Sequence, residues 1–208
     1  MNIALANEMA LACRSFGVNV WEVIDAAKTK PFGFMPFYPG PGLGGHCIPV
    51  DPYYLTWKTR LNGCESRLIE LASHINDEMP AYVIRSIGDA LNKKRKCLNG
   101  AKILALGVAY KRNTNDIRES PALNILSGLY EKGATISFSD PYVPEILIQE
   151  KTFKSVDLTP DLLQSMDLVA ILTDHSAFDY FMIAKFSPLI FDTRNTLHCF
   201  APANLVLL

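Results

Sequence analysis

The sequence contains no apolar run close to the roughly 20 residues that a helix needs to cross a bilayer. It also has no excess of charge of either sign, since 20 Lys and Arg residues stand against 21 Asp and Glu, for a formal net charge of −1. This balance argues against nucleic acid or an anionic membrane as the main partner. The first residues lack the basic segment that opens a signal peptide, and Glu8 interrupts their apolar stretch.

Cysteine is sparse and scattered. The five cysteines stand at positions 13, 47, 64, 97 and 199, with no Cys-x-x-Cys pair and no His/Cys spacing suited to a metal. An odd, dispersed set is not typical of a disulfide framework, so the simplest interpretation is a reducing cytoplasm with free thiols. We therefore expect a cytoplasmic protein without a bound metal.

Helical patterns fill the first part of the chain. Apolar spacing predicts helices over residues 2–15, 20–27, 53–61 and about 66–93, and Pro80 is expected to kink or restart the last of them. Residues 29–46 are rich in glycine, proline and aromatic residues. They predict a long ordered loop, and such loops in compact proteins are usually functional.

The second part alternates between strand and helix. Buried strands are predicted over residues 103–107, 135–139, 168–172 and 189–191, with helices over 121–132 and 161–165. This alternation indicates an α/β fold with a parallel, doubly wound sheet. The basic run at residues 93–96 and the Asn-Gly turn after it suggest a boundary between a helical region, 1–95, and a sheet domain, 96–208.

The most informative segment surrounds Cys47. Four glycines in six residues, from Gly40 to Gly45, precede it, and glycine backbone can approach a ligand closely. Pro49 and Pro52 follow, which suits the first turn of a helix. A thiol near a helix N-terminus is favoured as the nucleophilic thiolate. With Asp51 four residues on, the pattern suggests covalent catalysis.

Other interpretations of this segment are weaker. Gly40-x-Gly42-x-x-Gly45 matches the dinucleotide fingerprint, but no strand precedes it, so a loop packed against a sugar or phosphate is the better interpretation. His46 is adjacent to the thiol and is expected to be a polar loop residue, since adjacent side chains rarely point the same way. The remaining cysteines have no comparable surroundings in the sequence. We expect them to be buried and to behave as small hydrophobic residues.

Four stretches of the sequence carry a family resemblance. They are residues 28–52 with the glycine loop, residues 2–8, residues 106–121 with Leu-Gly-Val-Ala-Tyr-Lys and Asp-Ile-Arg-Glu-Ser-Pro, and Phe-Asp-Thr-Arg at 191–194. Together they resemble the nucleotide-sugar 6-dehydrogenases, the UDP-glucose/GDP-mannose dehydrogenase family. The resemblance is strongest to the branch that acts on UDP-N-acetylhexosamines such as UDP-N-acetylglucosamine, and it covers nearly the whole chain.

The resemblance implies an architecture and a reaction. The architecture is a set of central dimerisation helices followed by a Rossmann-like, parallel-sheet UDP-binding domain, and the partners are a UDP-sugar substrate and a second copy of the chain. The reaction oxidises the sugar C6 alcohol to a carboxylate with NAD. It passes through a thiohemiacetal and a thioester on the catalytic cysteine.

Site residues follow from the same resemblance. It makes Cys47 the nucleophile and Asp51 a catalytic carboxylate, and it assigns substrate contacts to the residues Tyr38, Gly40, Gly42, Gly44, Lys111 and Arg194. Asp116, Arg118 and Glu119 form a charge cluster that suits either an ion-pair network or direct ligand contact. Asp140, at the end of the second strand, is either a ribose-binding acid or a turn-former before Pro141.

One part of the family pattern has no counterpart. The N-terminal NAD-binding domain, with the family's catalytic lysine and asparagine, is absent from these residues, so we expect a truncated chain that is inactive alone and whose cofactor-binding residues are unknown. Two alternatives stay open. One is a non-catalytic, dimeric UDP-sugar-binding module. The other is an unrelated cysteine acyl-transferase or hydrolase, for which only His46 and Asp51 offer a base.

Overall fold

A computed structural model describes residues 1–208. Four helices come first, and they are α1 (Asn2–Ser15), α2 (Val20–Ala27), α3 (Asp51–Leu61) and α4 (Arg67–Lys93). The remaining elements are β1 (Lys102–Leu106), α5 (Pro121–Glu131), β2 (Thr135–Ser139), β3 (Glu145–Ile148), β4 (Lys151–Lys154), α6 (Pro160–Ser165), β5 (Leu168–Ile171), α7 (Tyr180–Phe186), β6 (Ile190–Asp192) and β7 (Leu205–Leu207). None of the helices has the length and apolar character required to cross a membrane.

Five strands form one parallel sheet in the order β2-β1-β5-β6-β7. Leu104 in the middle of β1 is in register with Ser137 of β2 and Val169 of β5. Strands β3 and β4 make a separate antiparallel hairpin. The predicted α/β class and parallel sheet are confirmed. Strand order reverses between β1 and β5, and the crevice at the carboxyl ends of such a pair is where open sheets bind ligands.

Apolar packing covers both faces of the sheet. One face packs against α5 and the second half of α4, where Met79, Val83, Ile87 and Leu91 are fully buried. The other face packs against α6 and α7. Because this core joins α4 to the sheet, residues on both sides of the suggested boundary at 95/96 share it, and that boundary stays a prediction.

Helix α4 runs without interruption past Pro80. The expected restart is therefore wrong. A proline inside a helix removes one N–H donor, and here the carbonyl that loses its partner is that of Asn76, four residues earlier. Packing of Pro80 and its neighbours into the core outweighs this loss, since Met79, Pro80 and Val83 are all buried. Sequence reasoning also missed β3, β4, α7 and β7.

Candidate functional site

The glycine loop is wedged against the protein's own chain. Gly42 has a φ of +133°, and a Cβ there would lie 2.9 Å from Cβ of Pro121 at the start of α5. A Cβ on Gly44 would lie 2.6 Å from Cβ of Tyr110 and 2.7 Å from the carbonyl oxygen of Glu119. Glycine is thus required at both positions by internal packing. Substrate contact through Gly42 and Gly44 stays a prediction.

A relay of two buried amides holds the start of this loop. The backbone N–H of Gly40 donates to Oδ1 of Asn7 at 2.9 Å, and Nδ2 of Asn7 donates to Oδ1 of Asn76 at 2.9 Å. Asn7 lies on α1 and Asn76 on α4, and both side chains are buried. Hydrogen bonds to α1 and α4 therefore fix the loop that leads to Cys47, although Asn7 and Asn76 are 69 residues apart in sequence.

Cys47 lies in the turn that precedes α3. Its side chain is exposed, and its carbonyl oxygen accepts hydrogen bonds from the N–H groups of Val50 at 3.2 Å and Asp51 at 2.9 Å. Asp51 is the first residue of the helix and is exposed. The two proposed catalytic residues are joined through the backbone, and no hydrogen bond links their side chains.

A charge pair stands beside the cysteine. Nη2 of Arg118 lies 2.6 Å from Oδ2 of Asp116, and hydrogen bonds from Arg118 lower the pKa of Asp116 to about 2. The same bond raises the pKa of Arg118, and the nearby Cys47 adds a smaller contribution in the same direction. The N–H of Gly45 donates to the carbonyl of Arg118 at 2.9 Å. Within the predicted charge cluster, Asp116 and Arg118 form an ion pair. The backbone carbonyl of Glu119 packs against Gly44.

Arg194 lies against the start of the glycine loop. Its Nε donates to the carbonyl of Leu172 at 2.9 Å, and a Cβ on Gly40 would lie 2.9 Å from its Nη1. Burial lowers the pKa of this guanidinium, while the charges of Asp174 and Asp192 act in the opposite direction. Arg194 lines a cavity of about 410 Å³ together with Tyr38, whose ring stacks on Trp21 at 5.7 Å between centroids. Two predicted substrate residues, Tyr38 and Arg194, thus line this cavity, and a third, Gly40, lies against Arg194.

Lys111 lies apart from that cavity. It is exposed on the segment between β1 and α5, at the carboxyl end of β1 where the strand order reverses. Its side chain makes no hydrogen bond or ion pair with the protein. The ammonium group is therefore available to an anion in the crevice.

Asp140 is committed to the protein's own backbone. Its Oδ1 accepts from the N–H groups of Tyr142 and Val143, and its Oδ2 accepts from Val108 at 2.7 Å. Burial by itself raises the pKa of this carboxyl, but hydrogen bonds from His175 and these amides hold it below its ordinary value. This arrangement favours the turn-former over the ribose-binding acid.

Sequence reasoning missed His175. It is completely buried and follows β5, and its Nε2 lies 3.0 Å from Oδ2 of Asp140. The signal was present as Thr173, Asp174 and His175, three polar residues directly after a buried strand that was itself predicted.

Comparison with known proteins gives two family matches. Residues 1–78 match the central domain of the UDP-glucose/GDP-mannose dehydrogenase family, and residues 104–199 match its UDP-binding domain. A UDP-N-acetyl-D-mannosamine dehydrogenase from Methanococcus maripaludis (strain C7) is 38% identical over 205 residues, which are 95% of this chain and 45% of that protein. The enzyme of that name from Escherichia coli K12 is 35% identical over 184 residues, which are 86% of this chain and 43% of that protein.

Solved structures agree with these matches. A UDP-D-ManNAc dehydrogenase from Pyrococcus horikoshii has a TM-score of 0.83 at 34% identity, covering 99% of this chain and 47% of that one. An NDP-N-acetyl-D-galactosaminuronic acid dehydrogenase from Methanosarcina mazei has a TM-score of 0.82 at 27% identity, covering 100% of this chain and 47% of that one. The chain spans just under half the length of these relatives.

Proposed function

The chain belongs to the UDP-glucose/GDP-mannose dehydrogenase family, and from this premise we propose that it carries the substrate-binding and cysteine-bearing parts of an NAD-dependent UDP-sugar 6-dehydrogenase. The observation that carries the proposal is that Tyr38 and Arg194 line one cavity, with Gly40 packed against Arg194. Cys47 follows in the same loop, beside the cation of Arg118. A guanidinium and an aromatic ring are groups that suit a nucleotide sugar.

The proposed role of Cys47 is covalent capture. Its thiolate adds to the C6 aldehyde of the sugar, so a C–S bond forms and the carbonyl oxygen takes a proton, giving a thiohemiacetal. After oxidation to a thioester, water attacks the carbonyl carbon and the C–S bond breaks, releasing the C6 carboxylate and the thiol. Asp51, at the start of α3, is the proposed carboxylate for positioning that water.

NAD is the oxidant that the family implies for both oxidations. The one glycine pattern that resembles a dinucleotide fingerprint does not fit that role. The glycine pattern at Gly40–Gly45 lies on a loop packed against Tyr110 and Glu119, and neither a strand precedes it nor a helix directly follows it. This observation favours a second candidate function, a UDP-sugar-binding module without turnover of its own.

Calorimetry with UDP tests the shared part of both proposals. Arg194→Ala is expected to weaken UDP binding by about 1.5–3 kcal/mol, the usual cost of losing one charged hydrogen-bond partner. Arg85→Ala is the matched control, because Arg85 is exposed on α4 against the ring of Tyr82, away from the cavity. An unchanged dissociation constant for Arg194→Ala would remove Arg194 from the site. NADH formation with UDP-N-acetylhexosamines then separates the enzyme from the binding module.

We also propose a homodimer through the helical half. Large apolar side chains are exposed on three of its helices, with Leu5 on α1, Tyr54 and Trp57 on α3, and Leu68 and Leu71 on α4. Val83 of α4 is buried in the chain's own core and does not belong to this exposed set. Isologous dimers are the commonest oligomers. Light scattering during gel filtration is expected to give twice the chain mass, and a monomer at low micromolar concentration would exclude this interface.

The compartment we propose is the cytoplasm. Four of the five cysteines are exposed and all five are free, which suits a reducing environment.

A further inference from the structure

His175 joins three segments at the carboxyl edge of the sheet. Its Nδ1 lies 2.9 Å from the backbone nitrogen of Asn113, on the segment after β1. Its Nε2 lies 3.0 Å from Oδ2 of Asp140, at the end of β2. His175 itself follows β5. The imidazole therefore bridges the ends of the two strands that flank β1 and the segment that leaves β1.

These partners fix the protonation of the ring. The Asn113 amide is a donor, so Nδ1 must be the unprotonated nitrogen that accepts. Nε2 then carries the hydrogen and donates to the carboxylate of Asp140. The rings of Tyr142 and Phe178 flank the imidazole at 5.0 and 5.6 Å between centroids, and the ring has no exposure to solvent. The geometry thus calls for a single neutral tautomer.

Hydrogen bonds fix the backbone on both sides of Lys111. On one side, the carbonyl of Ala109 accepts from Oγ1 of Thr173 at 2.6 Å. On the other, Asn113 has a φ of +57° and is bonded to His175, while its Nδ2 donates to Oγ of Ser176 at 2.9 Å. Lys111 lies between these two anchors, and the protein holds its backbone while leaving its ammonium group free.

We propose that His175 is a positioning residue that orients Lys111 toward the phosphates of the bound nucleotide sugar. This inference rests on the proposed UDP-sugar binding. Without the imidazole, the Asn113 N–H loses its acceptor, and the hydrogen bond that anchors one side of the Lys111 segment is lost.

Other charged or titratable groups face this imidazole or its neighbours. Asp140 faces Nε2 from β2. Asp174, the preceding residue, is paired with Arg112 at 3.6 Å, and the hydroxyl of Tyr180 on α7 donates to the carbonyl of His175 at 2.9 Å. Asp140 is thus the one charged group bonded to the imidazole itself, and the other groups contact the segment around it.

Calorimetry with UDP-N-acetylglucosamine at pH 8 forms the first test. His175→Phe keeps an aromatic ring between Tyr142 and Phe178 but removes both hydrogen bonds. Its binding is expected to be about tenfold weaker than that of the unsubstituted chain, because the Lys111 contact is lost.

A double-mutant cycle separates positioning from general stability. If His175 acts through Lys111, the double substitution His175→Phe with Lys111→Ala binds no more weakly than Lys111→Ala alone. Additive losses would overturn the proposal. Failure of the unsubstituted chain to bind at pH 8 would instead overturn the proposed function, and this inference with it.

Nitrogen-15 NMR of the histidine rings keeps the test independent of whether His175→Phe folds. The chemical shifts of the unsubstituted protein at about pH 8 are expected to show His175 with a protonated Nε2 and a bare Nδ1. The opposite tautomer would overturn the proposal, because Nδ1 could then not accept from the Asn113 N–H.

Discussion

Gly44→Ala tests how tightly the glycine loop before Cys47 is packed against the segment between β1 and α5. The added methyl group would stand 2.6 Å from Cβ of Tyr110 and 2.7 Å from the carbonyl oxygen of Glu119. Neither neighbour is the free end of a flexible side chain. Glu119 already has a φ of +50°, and the Gly45 N–H is bonded to the Arg118 carbonyl at 2.9 Å, so the two segments have little room to separate.

The expected cost of this substitution is about 2 kcal/mol of unfolding free energy, within the range for forcing a methyl group into a packed site. With a urea dependence of about 2 kcal/mol per M, the midpoint of unfolding falls by about 1 M. Gly63→Ala is the control. Gly63 has a φ of +75° but nothing within 4 Å of a Cβ, so only backbone strain is added. That strain costs about 1 kcal/mol, or about 0.5 M.

Urea unfolding followed by circular dichroism measures both variants. A Gly44→Ala midpoint equal to or above that of Gly63→Ala would refute the packing argument. The loop would then have enough freedom to move away from Tyr110, and the internal explanation for this glycine would fail.

Three further predictions concern reactive and charged side chains. Cys47 is expected to react faster with iodoacetamide than the exposed Cys97, because it lies just before the N-terminus of α3 whereas the Cys97 thiol donates to the carbonyl of Asn99; equal rates at the two cysteines would contradict this. The carboxyl of Asp116 is expected to titrate at a pKa of about 2 by carbon-13 NMR, and a midpoint near its ordinary value would rule out a persistent pair with Arg118. Because the folded pKa of Asp140 is lowered, its stabilisation is present above the unfolded pKa and is lost as pH falls through the folded one. The free energy of unfolding of the unsubstituted chain is thus expected to exceed that of Asp140→Asn most at neutral pH, and by less below about pH 4. A difference that does not change with pH would contradict this prediction.

Local sequence patterns were sufficient for most of the sheet. Strands β1, β2 and β6 end at glycine or aspartate or directly before one, and β5 is a run of four apolar residues. These local signals predicted each strand to within about one residue. No glycine or aspartate directly follows either strand of the hairpin β3–β4. Its turn residues Gln149 and Glu150 have positive φ values of 48° and 65°, a conformation for which sequence reasoning looks for glycine or asparagine.

Long-range partners could not be predicted in this way. The glycines at 42 and 44 suggested room for a ligand, and only the fold reveals that Pro121 and Tyr110 occupy that space. Arg194 lies against the start of the glycine loop, a contact that the sequence did not predict, and its role in substrate binding stays a prediction. The bridge by His175 depends on strand order, because it links segments that are adjacent only when β5 lies beside β1.

Strand β7 has a consequence for how the chain acquires its structure during synthesis. Leu207 packs against the small cluster formed by Ala10 and Cys13 of α1 with Trp21 and Ile24 of α2. A ribosome releases about 5–20 residues per second, so α1 and α2 emerge well before β7. The apolar contacts of these two helices are therefore complete only after residue 207 has left the exit tunnel.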